Sequence, residues 1–380
     1  MRIAIEALGI DRPGGGRVAT LNLLRPLLAR HDEHSYSIWL SAPEPSLEGL
    51  HPRAHQHVVS SANRFVARLV LQRSLPRFCR QEQIDLVHFV KNQVVSGTGT
   101  RAIATVYDLT TLRHPEAYPA IDVLYWRHVL PRQYRRLDGL IAISRSTGDD
   151  LASFYSLPSE RIRVIPCGYD PVYRPADQSE IADGRRKHGL QDLPYFIHVG
   201  NLSRKKNLAM LLEAFLDFRT KTNFPGRLVL VGAEYSKGRD GRFFEILGRE
   251  DARASVVLTG HVPQDDLIGL YGGALAFLFP SLHEGFGLVV LEAMACGAPV
   301  IAHATGAVSE VLGDAGIALS SPDDVGAWSA ALARVASDDG LRTALSRAGL
   351  ERASLFDPGR SADRTVAFYE DVVAGRTGTR

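Results

Sequence analysis

Residues 279–302 constrain the fold of this chain more than any other stretch. A short apolar run ends at a Pro-Ser turn, and a loop of sequence EGFG follows at residues 284–287. Apolar residues then recur at helical spacing until Gly297, after which a second apolar run covers residues 300–302. This order predicts a strand, a glycine loop, a helix and another strand, which is the repeating unit of a parallel α/β sheet.

The EGFG loop combines two features that suit different parts of one ligand. A glycine loop at the start of a helix presents unpaired backbone N–H groups and the positive end of the helix dipole, which favour an anion. Two carboxylates, Glu284 and Glu292, stand eight positions apart in the same stretch. Carboxylates accept hydrogen bonds from hydroxyl groups and repel phosphates. A ligand that carries both phosphates and hydroxyls, such as a sugar nucleotide, fits this combination.

The composition narrows the class of protein and of partner. A chain of 380 residues favours two domains. Its net charge of +2 is too small to indicate a nucleic-acid partner, although the first half is the more basic one. The three cysteines are far apart and form no CxxC motif, so we expect a reducing compartment, no disulfide framework and no structural zinc.

Neither the N-terminal segment nor the length of the apolar runs indicates export or a membrane span. The N-terminal segment meets charged and glycine-rich residues at once, unlike a signal peptide. No apolar run approaches the roughly 20 residues that a membrane-spanning helix needs. We therefore expect a cytoplasmic protein.

The first half of the chain alternates apolar runs with helical patterns. Strands are predicted at residues 2–7, 36–40, 55–59, 86–90, 102–107, 139–143 and 162–165. A loop over residues 11–17, with three consecutive glycines, separates the first strand from an amphipathic helix that begins at Val18. This arrangement is typical of nucleotide-binding α/β domains, although the spacing is not GxGxxG and a surface turn is the alternative.

Polar side chains follow the predicted strand at residues 102–107. Tyr107 and Asp108 stand at its end, and His114 comes shortly after. Side chains at the carboxyl end of a strand face the crevice where α/β sheets bind ligands, so all three are site candidates. Each of them also fits a structural role; Asp108, for example, could cap the turn that follows.

Two stretches of the first half combine arginines with apolar and aromatic residues. Residues 63–82 predict a helix in which no acid precedes Glu82, and residues 126–136 read WRHVLPRQYRR. Basic amphipathic stretches of this kind can lie on an anionic membrane surface. The basic outer side of an ordinary domain helix is the alternative.

A second alternating series follows a polar segment, within which we place the domain linker at residues 171–175. Strands are predicted at residues 195–199, 228–231, 256–258, 275–279, 300–302 and 317–319. The loop after the first of these strands carries the triplet Arg204, Lys205 and Lys206. Adjacent cations repel one another unless an anion neutralises them, so this triplet at a strand end indicates a diphosphate. A solvated basic loop is the alternative.

Alternation of strands and helices in both halves predicts an α/β protein with two doubly wound, parallel-sheet (Rossmann-like) domains. Both domains would present the carboxyl ends of their strands to a shared central cleft.

Several strings of this chain resemble one enzyme family. PSLHEGFGLVVLEAMACGAPVIA at residues 280–302 is similar to the donor-site signature, E-x7-E, of the retaining glycosyltransferases of family 4 (group 1), which have the two-domain GT-B architecture. HVGNLSRKKNL at residues 198–208 resembles the phosphate-binding loop of that family, and VIPCGYDP at residues 164–171 resembles its inter-domain segment. The likeness runs from the first strand to the last helix and is stronger in the second half.

The resemblance implies a role for each matching residue. Glu284 would contact the donor sugar, Glu292 would bind the ribose, and Lys206, with Lys205, would hold the diphosphate. The donor-binding residues implied in this way are Gly15, Gly16, Gly200, Asn201, Lys205, Lys206, Gly260, His261, Glu284, Gly285, Phe286, Gly287, Leu288 and Glu292. The residues implied for catalysis are Glu284, Lys206, Lys205, Tyr107 and Asp108.

Two positions depart from the pattern of the family. Many members have arginine where this chain has Asn201, which leaves more of the phosphate binding to Lys205. Many have histidine where this chain has Tyr107, and a tyrosine hydroxyl is a poor general base near neutral pH. The second departure weakens any assignment of a side-chain base.

The resemblance implies an acceptor-side domain over residues 1–172, a donor-binding domain over residues 173–357, and a C-terminal segment, residues 358–380, whose helix crosses back to the first domain. The expected activity is transfer of a hexose, of the mannose or glucose type, from a GDP- or UDP-linked sugar to a glycan or lipid-linked acceptor. No cofactor and no metal ion would be needed. The alternatives are an epimerase or phosphorylase of the same fold, a glycoside hydrolase that uses the two glutamates, and a non-catalytic protein that binds sugar nucleotides.

Overall fold

The computed structural model describes six stretches of the chain, namely residues 1–12, 14–60, 63–91, 93–190, 192–234 and 240–377. Within them, the side chains of Arg64, Phe65 and Ala117 lie outside the described part. The chain forms two compact units. The first consists of Met1–Tyr169 and Phe356–Arg380, and the second of Asp170–Leu355.

Parallel strands form the sheet of the first unit. They are β1 (Arg2–Glu6), β2 (Ser35–Leu40), β3 (Ala54–Val58), β4 (Leu86–Phe89), β5 (Arg101–Val106), β6 (Gly139–Ala142) and β7 (Ile162–Val164). Their order across the seven-stranded sheet is β3-β2-β1-β4-β5-β6-β7. Because the strand order reverses beside β1, the carboxyl ends of β1 and β4 flank the point where doubly wound sheets bind ligands.

The helices that precede the second unit are α1 (Gly15–Leu28), α2 (Arg64–Gln81), α3 (Thr110–Arg113), α4 (Ala120–Leu124), α5 (Leu130–Tyr134) and α6 (Arg145–Tyr155). Helix α2 agrees with the helix predicted over residues 63–82. Helix α1 begins earlier than predicted, so Gly15 and Gly16 belong to its first turn and not to a loop that lasts until Arg17. Gly14, at φ 137°, makes the turn into the helix, which leaves the next two glycines free to adopt helical geometry.

The second unit is also a parallel sheet between helices. Its strands are β8 (Tyr195–Val199), β9 (Arg227–Val231), β10 (Val256–Gly260), β11 (Ala276–Phe279), β12 (Val300–His303) and β13 (Ile317–Leu319). The order across the six-stranded sheet is β10-β9-β8-β11-β12-β13. Here the order reverses beside β8, so the loops that follow β8 and β11 are neighbours. Two parallel α/β units, as predicted for the fold class, are thus confirmed.

The helices of the second unit are α7 (Gln178–Lys187), α8 (Leu208–Thr222), α9 (Gly241–Leu247), α10 (Glu250–Arg253), α11 (Gln264–Gly272), α12 (Leu288–Ala295), α13 (Ala307–Leu312), α14 (Val325–Ser337) and α15 (Asp339–Ala353). Helix α7 lies in the polar segment that contains the predicted linker, and no helix was predicted there. A capping box explains it: Asp177 accepts from the backbone N–H of Glu180, and the Glu180 side chain accepts from the backbone N–H of Asp177.

After α15 the chain returns to the first unit as α16 (Pro358–Val373). This helix packs so closely that a Cβ atom on Gly139 would lie 2.5 Å from the Phe368 ring. The Tyr369 hydroxyl lies 2.7 Å from Nδ1 of His88, whose Nε2 lies 2.8 Å from the hydroxyl of Thr105. All three side chains are buried, so α16 is part of the core of the first unit.

Among the helices of the described stretches, none is both long enough and apolar enough to cross a membrane.

Candidate functional site

The loops after β8 and β11 bring the predicted phosphate-binding and sugar-binding residues of the second unit together. Lys205 and Lys206 lie in a single 3₁₀ turn after β8, and Glu284 lies in the loop between β11 and α12. The backbone N–H of Leu282 donates to the carbonyl of Lys205 at 3.0 Å, which ties the two loops to each other. The parallel register places the loops side by side, because β8 and β11 pair directly.

Glu284 pairs with both lysines. Its Oε1 lies 2.6 Å from Nζ of Lys206 and its Oε2 lies 3.3 Å from Nζ of Lys205. The side chains of Lys206 and Glu284 are only 13% and 15% exposed, whereas that of Lys205 is 36% exposed. Burial alone would raise the pKa of Glu284, but the charges and hydrogen bonds of the two lysines outweigh it and hold that pKa below its usual value. Glu284 is therefore a carboxylate at neutral pH.

The Lys206 side chain is held on its apolar side as well. Its Nζ lies 5.0 Å from the centre of the Phe279 ring, within the range of a cation–π contact. A Cβ atom on Gly200 would lie 3.2 Å from Cε of Lys206 and 3.1 Å from Nε2 of His198, so a larger residue at Gly200 would crowd this side chain. Lys206 is thus positioned by a ring, a glycine and a carboxylate.

Buried His198 lies behind Lys206, at a position that the sequence reasoning did not select. Its Nδ1 donates to the carbonyl of Leu278 at 2.9 Å. Burial, together with the charge of Lys206, lowers the pKa of His198 to about 3, so the ring is neutral at physiological pH. The sequence feature that could identify His198 is its place within the otherwise apolar strand β8, two residues before Gly200.

The turn into α12 is made by glycine. Gly287 adopts φ 96°, a left-handed conformation that favours glycine, and Leu288 begins the helix. Phe286 is buried, and Gly285 and Glu284 precede it in the loop. The structure thus bears out the predicted sequence of strand, glycine loop and helix.

Glu292 has different neighbours from Glu284. It lies in α12, is 6% exposed, and its carboxyl group is close to the Tyr173 side chain. Burial, and secondarily the charge of Asp170, raises the pKa of Glu292 to about 7. Asp170 belongs to the inter-domain motif and Tyr173 follows it, and the sequence pattern does not connect either residue with Glu292.

The other predicted residues of the second unit lie near the carboxyl ends of β8 and its neighbours. Gly200 and Gly232 follow neighbouring strands, and a Cβ atom on Gly232 would lie 1.9 Å from the carbonyl oxygen of Gly200. The backbone N–H of Gly232 donates to the carbonyl of Gly260 at 2.8 Å. His261, next in the chain, is exposed, as is Asn201, whose Oδ1 accepts from the hydroxyl of Ser203 at 2.8 Å.

The predicted residues of the first unit lie at the carboxyl ends of its strands. Gly15 and Gly16 are exposed in the first turn of α1. The Tyr107 hydroxyl lies 3.0 Å from that of Thr20 on α1, and burial raises the pKa of Tyr107, so the phenol stays protonated at neutral pH. Asp108 accepts from the backbone N–H of Thr110 at 2.9 Å, which is the turn-capping contact weighed as an alternative for it.

A buried carboxyl and a lysine at the same edge were not anticipated. Glu6 ends β1, and its Oε1 accepts from the backbone N–H of Leu8 at 3.0 Å. Burial raises the pKa of Glu6 to about 7, against the opposing effects of that hydrogen bond and of nearby Lys91. Lys91 donates to the carbonyl of Gly9 at 2.7 Å. The sequence pattern does not single out Glu6, because the residue lies within the predicted strand at residues 2–7.

Among the described residues, no three or more histidine, cysteine, aspartate or glutamate side chains lie close enough together to bind a metal ion.

Two family models match this chain. The model described as "Glycosyl transferases group 1" matches residues 180–352, and the model described as "Glycosyltransferase Family 4" matches residues 13–173. The first match lies within the second unit, and the second match covers most of the first unit. Between them they take in the lysine loop, the two glutamates and the glycines of α1.

Curated relatives include mannosyltransferases of Escherichia coli. The chain is 29% identical to the O-antigen chain mannosyltransferase B, over 71% of this chain and 70% of that protein. It is 27% identical to the serotype-specific mannosyltransferase WbdA over 73% of this chain, but this match spans only 35% of that protein.

Solved structures share the fold at lower identity. The sucrose-phosphate synthase of Thermosynechococcus elongatus superposes with a TM-score of 0.80 at 22% identity, over 98% of this chain and 99% of that one. Anabaena HepE in complex with UDP-glucose superposes with a TM-score of 0.76 at 18% identity, over 98% of this chain and the whole of the other. At these identities the likeness is evidence of the fold alone, and that fold is GT-B.

Proposed function

Because the chain belongs to the glycosyltransferases of group 1 and family 4, we propose that it transfers a hexose of the mannose or glucose type from a nucleotide diphosphate sugar to an acceptor hydroxyl, with retention of the anomeric configuration. The observation that carries this proposal is the convergence of Lys205, Lys206 and Glu284 on one edge of the second sheet. The names of the relatives favour mannose and an acceptor in polysaccharide, lipopolysaccharide or glycolipid synthesis. UDP-glucose in the related Anabaena structure supports a nucleotide-sugar donor.

In this proposal residues of the second unit bind the diphosphate, the sugar and the ribose of the donor. Lys205 and Lys206 bind the diphosphate, and the N–H groups at the start of α12 add to the positive field that stabilises the leaving phosphate. Glu284 accepts hydrogen bonds from the hydroxyls of the sugar. Glu292, buried beside Tyr173, binds the hydroxyls of the ribose.

The chemistry proceeds without a side-chain base on the acceptor side. Tyr107 keeps its proton at neutral pH because burial raises its pKa. The leaving phosphate oxygen then takes the proton of the acceptor hydroxyl on the face from which the acceptor attacks. The two lysines supply the positive charge that a metal ion provides in other transferases, so we propose that the reaction needs no metal. Transfer would then be unaffected by EDTA, and a loss that added Mg²⁺ or Mn²⁺ restores would contradict this part of the proposal.

Ligand-dependent stabilisation identifies the donor first. A ligand that binds only the folded protein raises its melting temperature, so GDP, UDP and ADP with their mannose and glucose conjugates form the screening panel. The conjugate that stabilises the protein most is then used with an acceptor extract in a transfer assay, and NMR of the product reads the anomeric configuration.

Substitution at the site tests the residue assignment. Glu284→Ala is expected to abolish transfer, because it removes the acceptor of the sugar hydroxyl bonds. Glu213→Ala is the matched control, since Glu213 pairs with Arg242 on the exposed side of α8. Full transfer by Glu284→Ala would show that the site is elsewhere.

The same assays separate the alternative activities. An epimerase converts the sugar nucleotide with no acceptor present, and a phosphorylase requires inorganic phosphate. A glycoside hydrolase releases sugar from a simple glycoside without nucleotide. A non-catalytic binder is stabilised by the donor but produces nothing with any acceptor.

We further propose that the first unit contacts an anionic membrane through α2 and residues 126–136. The side chains of Val66, Leu69 and Val70 are exposed on α2, with Leu69 at 65%. They border a surface groove of about 650 Å³ that Arg73 and Arg77 also line. Exposed apolar groups beside arginines suit the boundary between lipid headgroups and acyl chains.

Flotation with liposomes tests this contact. The protein should float with vesicles that contain anionic phospholipid, and much less with purely zwitterionic vesicles. Arg73→Glu combined with Leu69→Ser should abolish flotation, whereas Arg249→Glu, at an exposed position of the second unit, should not. Flotation that is insensitive to both lipid charge and these substitutions would rule the contact out.

A further inference from the structure

Glu284 and the two lysines already satisfy one another. Each carboxylate oxygen of Glu284 is engaged by a different lysine, at 2.6 Å for Lys206 and 3.3 Å for Lys205. Two positive charges face one negative charge, so the group carries a net charge of +1. Because Lys206 and Glu284 are largely buried, solvent screens this interaction far less than it screens a surface ion pair.

A diphosphate bound by the lysines comes close to the carboxylate. Lys206 has the Phe279 ring on one side and Glu284 in hydrogen-bond contact on another, which limits the directions from which a phosphate can reach its ammonium. The phosphate therefore either displaces Glu284 from Lys206 or shares the lysine with it. In both cases a negative phosphate stands near a negative carboxylate, which weakens binding.

The sugar of a donor changes this balance. Its hydroxyls donate hydrogen bonds to the Glu284 carboxylate, and such charge-assisted bonds offset the loss of the lysine contact. A nucleotide diphosphate without sugar offers no such donor at that position. Building on the function proposed above, we propose that Glu284 makes the site discriminate between the nucleotide diphosphate sugar and the nucleotide diphosphate that remains after transfer, by weakening the binding of the latter. Glu284 thereby promotes release of the product.

Calorimetry on the full chain tests this with three ligands: inorganic pyrophosphate, the nucleotide diphosphate that binds, and its sugar conjugate. Glu284→Gln keeps the shape of the side chain and removes its charge. It should lower the Kd of pyrophosphate and of the nucleotide diphosphate about tenfold, because a like charge is removed, and it should raise the Kd of the sugar conjugate. Unchanged or weaker binding of both sugar-free ligands by Glu284→Gln would overturn the proposal.

Two further variants show whether charge is the cause. Glu284→Asp retains the charge, so its affinity for the nucleotide diphosphate should stay within about threefold of the wild type; a gain equal to that of Glu284→Gln would contradict the proposal. Glu213→Gln removes a carboxylate from the exposed pair with Arg242 in the same unit and should change none of the three affinities.

The affinities of the wild-type protein also test the proposal, without any variant. The sugar conjugate should bind more tightly than the nucleotide diphosphate alone, and the opposite order would overturn the proposal. If the wild type binds no nucleotide or conjugate of the panel, the proposed function fails, while the pyrophosphate measurement still reports on the charge of Glu284. If it binds the conjugate but Glu284→Gln fails to tighten the sugar-free ligands, the function stands and this inference falls.

Discussion

Each unit has a glutamate and a lysine at the same point of its sheet, but the two side chains pair with each other in only one of the units. Glu6 ends β1 and Lys91 follows β4, whereas Lys206 and Glu284 follow β8 and β11. Both places flank the reversal of strand order. In the second unit the two charges pair directly at 2.6 Å. In the first unit each side chain bonds to backbone groups of the segment that leads to α1.

This difference in pairing gives the two glutamates different pKa values and the two edges different roles. Direct pairing lowers the pKa of Glu284 and leaves two ammonium groups that a stronger anion can claim. Burial without a direct counter-ion raises the pKa of Glu6 to about 7. The second edge is thus suited to exchanging one anion for another, whereas the first edge fixes the shape of the loop before α1.

The largest expected effect comes from the buried lysine. Lys206→Ala removes the proposed phosphate ligand. It also leaves the Glu284 carboxylate buried without its nearest counter-ion, which should lower the free energy of unfolding by about 3–5 kcal/mol. We expect affinity for the donor to fall at least 100-fold, as measured by calorimetry. Lys91→Ala, the counterpart in the first unit, should change donor affinity less than about threefold. Equal losses in the two variants would mean that the two edges share the diphosphate.

The second prediction concerns pH and Glu6. Its pKa in the folded protein, about 7, lies above the value of 4.5 that it has when exposed. The folded state therefore binds the proton more tightly, and stability falls as the pH rises from 4.5 to 7, by up to about 3 kcal/mol. Glu6→Gln should remove this loss, so its gain in melting temperature over the wild type should be larger at pH 8 than at pH 5.

Glu284→Gln is the comparison for that measurement. The pKa of Glu284 is lowered in the folded protein, so its contribution is present at neutral pH and is lost as the pH falls into the acidic range. The substitution should therefore give no extra stability at pH 8. A gain at pH 8 that matches that of Glu6→Gln would show that the lysines do not hold Glu284 ionised.

A smaller effect is expected at the second lysine. Lys205 is more exposed than Lys206 and stands farther from Glu284, so solvent competes for its charge. Lys205→Ala should weaken donor binding about tenfold, equivalent to about 1.4 kcal/mol. Titration at two salt concentrations separates the lysines further, because the contribution of the exposed one should decline more with salt. A loss greater than that of Lys206→Ala would reverse the assignment.

The smallest effect is expected at Tyr107. Tyr107→Phe removes one neutral hydrogen bond with Thr20, a change of about 1 kcal/mol, and kcat should fall less than tenfold. Thr20→Val, which removes the partner, should give a similar value. A fall of 100-fold or more in Tyr107→Phe alone would indicate that its hydroxyl takes part in proton transfer.

The sequence was sufficient to predict that the loops of Lys206 and Glu284 meet at one edge of the sheet. Lys206 and Glu284 are 78 positions apart, yet each follows a strand, and parallel strands carry their carboxyl ends to one edge. The direct ion pair could not be predicted, because strand order fixes which loops are neighbours but not the conformations of long side chains. Glu292 shows the same limit: its spacing places it on α12, but its contact with Tyr173 depends on how the segment after Asp170 folds back.

Two other features were missed for local reasons. Helix α7 has the polar composition of a linker, and its short-range signs of a helix are the capping box at Asp177 and Glu180 and the basic residues of its last turn. Consecutive glycines disfavour helices, so the sequence predicts a loop at Gly15 and Gly16. Here Gly14 makes the turn, and the helix begins at Gly15.

The return of α16 to the first unit bears on the order in which the protein matures during translation. Strands β1 to β7 precede the second unit in the chain, but the partner of buried His88, Tyr369, follows that unit. The second unit, Asp170–Leu355, is contiguous and can complete its core earlier. Domains generally fold as they emerge from the ribosome. In this chain, the first unit stays incomplete until α16 has been synthesised, and until then the apolar surface that α16 covers is exposed to chaperones.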